Sequence, residues 1–140
     1  MNKLTYILAT AWHESKLRPI REIRARQGTA LYETQNRYWF TGYYGRGFVQ
    51  LTWESNYQKM GDWLGINLVG NPDLALDPHY AAQIIVFGMM NGSFTSRPLS
   101  RYINGSNVDF VNARRVVNGT DRASLIASYA QDILNARSFV

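Results

Sequence analysis

The chain contains no cysteine and only two histidines among its 140 residues, and both shortages close off some chemistry. Without thiols there is no disulfide framework, no thiolate zinc site and no cysteine nucleophile. His13-Glu14 opens an H-E-x-x-H motif, but the second histidine position is Leu17 and the other histidine is His79, so a zinc hydrolase lacks its ligands. No metal or cofactor is expected, and His13 reads as a hydrogen-bonding residue. Neither G-x-S-x-G nor G-x-x-x-x-G-K-[ST] occurs, which removes serine-hydrolase and P-loop chemistry. The longest apolar stretch, LTYILATAW at 4–12, is too short to span a bilayer, so no membrane insertion is expected. The opening MNKLTYILATA has the outline of a signal peptide, but its apolar region is short and broken by threonine. A signal peptide is therefore not expected, and cleavage at Ala9-Thr10-Ala11 would also remove the helix that carries Glu14.

What is present is a composition 46% hydrophobic and 18% charged, which fits a single domain over residues 1–140 with one core. The net charge is +5, and 12 of the 15 cations are arginines; such a surface favours anionic partners without saying which. The basic run from Lys16 to Arg26 could touch phosphates while nearby aromatics stack on bases. No helix-turn-helix or RNP motif can be placed, so nucleic acid is not the expected partner.

On a helix turning about 100° per residue, Leu4, Ile7, Leu8, Ala11 and Trp12 fall on one arc, which predicts a helix over 2–15 with that arc facing the core. Glu14 projects from the edge of the arc and His13 away from it. A short helix around 19–26 and a long loop are expected next. Gly42, Gly45 and Gly47 punctuate a short extended or hairpin region at 40–52. Thr52 reads as the N-cap of a helix over 53–64 that buries Tyr57, Met60 and Leu64 and stops at Gly65. Asp77-Pro78 starts a buried helix to about residue 90. RYINGS is a turn, a helix follows over about 108–117, and Thr120 or Asp121 caps a last helix whose inner face holds Leu125, Ile126, Tyr129, Ile133 and Leu134. The fold class is therefore mainly α with a small irregular or hairpin region.

A carboxylic acid kept against apolar neighbours stays protonated to higher pH, as a general acid requires, and the edge of the first helix offers Glu14 such a place. Glycoside hydrolysis needs a second carboxylate to activate water or attack the sugar. Glu33 and Glu22 both satisfy that count. The glycines let backbone approach a ligand closely; Tyr43 and Tyr44 offer faces for sugar rings, and Gln50, Thr52 and Asn56 offer hydrogen bonds.

In order and spacing, AWHESK, YYGRGFVQLTWESNY, GNPDLALDP, RYINGS and NARRVVNGTDRA resemble the family 19 glycoside hydrolases, in particular the chitinase-like endolysins of bacteria and bacteriophages within the lysozyme-like superfamily. The resemblance implies a lysozyme-like helical domain with a substrate cleft, acting on β-1,4-linked N-acetylated amino sugars. It implies Glu14 as general acid, Glu33 of Tyr32-Glu33 as general base with Glu22 as the alternative, and Thr52 as the hydroxyl that holds the attacking water. Sugar-binding roles fall to Gln50, Asn56, Asn104 and Arg115, the last chosen over Arg114, with His13, Tyr44 and Arg46 completing the set. If water lies between the carboxylates the reaction inverts the anomeric centre, and the two groups stand roughly 6.5 to 9.5 Å apart. Because of the positive charge, the expected substrate is bacterial peptidoglycan, cleaved by a monomer made in the host cytoplasm and released to the wall as phage lysins are. The alternatives are a chitinase acting on chitin oligosaccharides and a non-catalytic wall-binding module.

Overall fold

The computed structural model describes residues 1–137. In chain order its elements are α1 (Asn2–Ser15), β1 (Ile20–Arg21), α2 (Ala30–Gln35), β2 (Arg46–Gly47), α3 (Glu54–Leu64), α4 (Pro78–Asn91), β3 (Ile103–Asn104), β4 (Asn107–Val108) and α5 (Ala123–Arg137), with 3₁₀ turns at Trp39–Thr41, Pro72–Leu76, Leu99–Arg101 and Asn112–Val116. This is the mainly helical architecture that the sequence predicts. Among the described residues no helix is long and apolar enough to cross a membrane. Two compact units are present: Met1–Leu17 with the described residues from Ile85, and Arg18–Ile84. The boundary between them falls inside α4.

In the first unit α1 packs along α5. The predicted bounds of α1 hold, but its buried face is rotated from the predicted one. Tyr6, Ile7, Ala9, Thr10 and Ala11 are buried, while Leu4, Leu8 and Trp12 are 50%, 37% and 40% exposed. The inward polar residues bring their own partners: the hydroxyls of Thr5, Thr10 and Ser15 donate to the carbonyls of Met1, Tyr6 and Ala11 one turn back, so small polar side chains can be buried at little cost. In α5 the inner positions are likewise Ala123, Ile126 and Ala130, with Leu125 39% exposed. Leu8, Trp12, Leu17, Tyr129 and Ile133 then line an open apolar groove with Asp132. The predicted turn in RYINGS is the β3–β4 hairpin, with Gly105 at φ +52°. The predicted helix over 108–117 is absent: Val108 pairs with Ile103, and a 3₁₀ turn starts at Asn112, whose backbone N–H donates to Asp109 Oδ1.

In the second unit the predicted helix at 19–26 is also absent. Its backbone groups are engaged elsewhere: Ile20 and Arg21 pair with Gly47 and Arg46, and the Glu22 N–H donates to the Gly45 carbonyl at 2.7 Å. Gln35, 1% exposed, then ties the following residues to α2, its Nε2 donating to the Ile23 carbonyl and its Oε1 accepting from the Ala25 N–H. Helix α3 starts at Glu54 with Trp53 as its N-cap, and Thr52 does not cap it. Tyr57 and Met60 are buried as predicted, Leu64 is only half-buried, and Gly65 ends the helix in a left-handed conformation. Asp77 caps α4 through the His79 N–H.

Candidate active site

Each unit holds one anchored glutamate. In the first, Glu14 lies in the last turn of α1, where Lys16 and Leu17 turn into left-handed backbone at φ 54° and 59°. A carboxylate at a helix C-terminus faces the negative end of the helix dipole, and a cation offsets this. Arg114 Nη1 donates to Glu14 Oε1 at 2.8 Å, and Arg114 Nε is fixed on the Asp121 carbonyl at 2.8 Å. The arginine side chain is 2% exposed and the glutamate 21%. The predicted partial burial of Glu14 is therefore present, and the structure adds a cation to the apolar neighbours that the sequence offers. No described donor reaches Glu14 Oε2. The arginine that meets this carboxylate is Arg114, not Arg115, whose Nε instead faces Asn112 Oδ1 at 3.3 Å. His13 is half-buried, and burial holds its imidazole below the ordinary histidine pKa despite the neighbouring Glu14 charge, which acts the other way. Asn104 is exposed at the β3–β4 turn, its Nδ2 donating to the Ser100 carbonyl.

In the second unit the anchored carboxylate is Glu22. Its Oε1 accepts from the Tyr38 hydroxyl at 2.7 Å, while its Oε2 is buried without a hydrogen-bond partner. Burial, with the hydrogen bond to Glu22 and its negative charge, pushes the Tyr38 phenol above its ordinary pKa, so it stays a donor at neutral pH. Gly45 makes the close packing here possible: a Cβ on it would lie 2.9 Å from Gln50 Oε1 and 3.1 Å from Glu22 Cβ. Gln50 and Glu22 thus flank one glycine. Gln50, at φ 60°, donates through Nε2 to the Ile20 and Gly47 carbonyls, leaving Oε1 free to accept. Thr52 sits between Gln50 and Trp53, both with positive φ (60° and 77°), a strained pair of the kind found at functional sites. Its hydroxyl rests on the Gln50 carbonyl at 3.0 Å, and Asn56 Nδ2 donates to the Thr52 carbonyl at 2.8 Å.

Two predicted site residues have other surroundings. Glu33 is exposed on α2, where Asn36 Nδ2 donates to its Oε2 at 3.3 Å. Arg46 is 5% exposed and spends its donors on Asp73, the Gly42 carbonyl and the Tyr57 hydroxyl, so it braces the glycine-rich segment from inside. Burial opposes the charge on Asp73, but Arg21 and Arg46 together outweigh it and lower that pKa. Tyr44 is stacked on Trp39 at 4.5 Å and covered by the Arg46 guanidinium at 4.2 Å. Sequence reasoning missed Tyr38, which lies 16 residues from Glu22 with no spacing signal to link them.

The chain is mainly helical, with one anchored glutamate in each of its two units. Residues 24–102 match the glycoside hydrolase family 19 profile, chitinase class I, and the chain belongs to that family. The matched span begins beyond Glu14 and Glu22. Among curated relatives, Chitinase 8 of Oryza sativa subsp. japonica is 69% identical over 32 residues, 23% of this chain and 12% of that protein. Inactive chitinase-like protein 1 of Hevea brasiliensis is 56% identical over 32 residues, 23% of this chain and 10% of that protein. These segments span a small part of the relatives' length. Chitinase C of Streptomyces griseus has a similar fold, with a TM-score of 0.68 over 96% of this chain and 72% of that one at 23% identity.

Proposed function

We propose that the chain hydrolyses β-1,4 bonds between N-acetylated amino sugars, acting on chitin-type chains, with residues 1–140 serving as one catalytic domain and a monomer. The observation that carries the reading is that Glu14 and Glu22 are each anchored through one carboxylate oxygen, on Arg114 and on Tyr38, and keep the other free. Glu14 is assigned the proton donor to the leaving oxygen. Glu22 replaces Glu33 as the carboxylate that activates water: a buried oxygen without a partner is costly unless it has a task, whereas Glu33 is a solvated helix residue. Thr52, Gln50 and Asn56 are assigned to holding water and sugar beside Glu22, with Tyr44, Asn104 and Arg115 retained as outlying sugar contacts. A water nucleophile activated by the second carboxylate inverts the anomeric centre.

Chitin leads because the curated relatives quoted above are named as chitinases or chitinase-like. Peptidoglycan is the second reading, favoured by the net charge of +5, since a basic protein concentrates at an anionic wall; an endolysin role, with release from a host cytoplasm to the wall, belongs to that reading. The test compares reducing-end release from chitin hexasaccharide and from purified peptidoglycan across a salt series, with the product anomer read by NMR. The α-anomer from chitin, formed at a rate little affected by salt, supports the main reading. Salt-sensitive release from peptidoglycan alone supports the second. Binding without release from either would identify a non-catalytic wall-binding module; the Hevea relative is named as an inactive chitinase-like protein.

A further inference from the structure

The segment around Arg24 carries a surface that the proposed hydrolysis does not use. Ile23 and Phe40 are each 80% exposed and Leu31 57%, and so much exposed bulky apolar surface on elements joined through Arg24 is unusual. Arg24 binds the group into one patch: its guanidinium carbon lies 5.7 Å from the centre of the Phe40 ring, and its Nη1 donates to the Tyr32 carbonyl, next to Leu31 on α2. Ile23 precedes it in the chain and is pinned to α2 by Gln35. Arg26 and Arg37 flank the patch. Arg26 is two residues beyond Arg24, and Arg37 follows Asn36, whose side chain accepts from Arg24 Nη2. Both are exposed, and neither makes an ion pair or a side-chain hydrogen bond among the described residues.

We infer that this patch is a peripheral docking surface for an anionic lipid membrane. Uncompensated arginines supply attraction to acidic headgroups, and the projecting side chains reach the boundary between headgroups and acyl chains, where binding grows with the apolar area buried. Nucleic acid would match the arginines and could stack on Phe40, but it offers nothing to the aliphatic Ile23 and Leu31. The mode is adsorption, with nothing crossing the bilayer.

The test is co-sedimentation of the full chain with vesicles of phosphatidylglycerol and phosphatidylcholine, and with phosphatidylcholine alone, at moderate salt. The expected result is binding to the acidic vesicles only. It should weaken about fivefold for each of Arg26→Gln and Arg37→Gln and about tenfold for Phe40→Ser, which returns roughly half of a phenylalanine's apolar contribution to water. Melting curves and hydrolysis of a soluble oligosaccharide should be unchanged in all three variants, so loss of vesicle binding is separable from failure of the proposed function. Four results would overturn the inference: no binding to acidic vesicles, equal binding to neutral ones, binding indifferent to Phe40, or displacement by chitin oligosaccharide. Retention on DNA that needs the arginines but not Phe40, without vesicle binding, would assign the patch to nucleic acid.

Discussion

Replacing Arg114 by methionine keeps the apolar stem but removes the guanidinium that anchors Glu14. Two hydrogen bonds at 2.8 Å disappear, to Glu14 Oε1 and to the Asp121 carbonyl, from a side chain only 2% exposed. A lost bond to a charged group costs about 1.5–3 kcal/mol when the partner is left unsatisfied. Glu14 is 21% exposed and recovers part of its hydration, so the sum is taken at the low end, about 3 kcal/mol. In a domain of this size that lowers Tm by about 10 °C. Arg115→Met, which loses a 3.3 Å contact with Asn112 from a half-exposed position, should cost less than about 0.5 kcal/mol. The double-mutant cycle with Glu14→Gln, followed by urea unfolding, should return a coupling of about 1–2 kcal/mol. Reducing-end release should fall about a hundredfold in Arg114→Met, because an unanchored Glu14 leaves its productive geometry. A coupling near zero, or a larger stability loss for Arg115→Met, would refute the reasoning.

Tyr38→Phe removes the donor on Glu22 Oε1 while Oε2 already lacks one; stability should drop by about 1–2 kcal/mol, and steady-state kinetics should show kcat falling more than KM rises. Gly45→Ala places a methyl 2.9 Å from Gln50 Oε1 and 3.1 Å from Glu22 Cβ. It should cost about 1–3 kcal/mol in denaturant unfolding and most of the activity, whereas Gly119→Ala, with nothing within 4 Å, should be neutral. His13 has a folded pKa below its unfolded one because burial disfavours the imidazolium. Between those two values the unfolded chain holds more protons, so the contribution is level above the unfolded pKa and stability is lost as pH falls through the folded one. The stability difference between the intact protein and His13→Asn should therefore be flat above neutrality and shift against the intact protein on acidification. A difference independent of pH would count against the assignment.

Regular elements were legible wherever local signals act alone. The bounds of α1, the stop of α3 at Gly65 and the Asp77-Pro78 start of α4 follow from periodicity, a left-handed glycine and an N-cap before proline. The sequence failed where distant partners decide. Residues 19–26 carry a helix-compatible composition, yet their backbone pairs with β2 and with the buried amide of Gln35. The apolar arc of α1 misled because Thr5 and Thr10 can be buried by bonding their own helix, which leaves Leu8 and Trp12 outside. The position of Glu14 in the last turn of α1, partly buried, follows from the same helical periodicity. The surroundings that separate Glu22 from Glu33 come from Tyr38, a contact made across the loop, and those that separate Arg114 from Arg115 from which side of a 3₁₀ turn faces inward; neither is written in the local sequence.

The most direct measurement is reducing-end release from chitin hexasaccharide by the intact protein and by Glu14→Gln, Glu22→Gln and Glu33→Gln, each checked for folding by its melting curve. The account predicts a loss of about a hundredfold or more for the first two substitutions and near-native activity for Glu33→Gln. An active Glu22→Gln beside an inactive Glu33→Gln would contradict the assignment of the second carboxylate. A fully active Glu14→Gln would contradict the account as a whole.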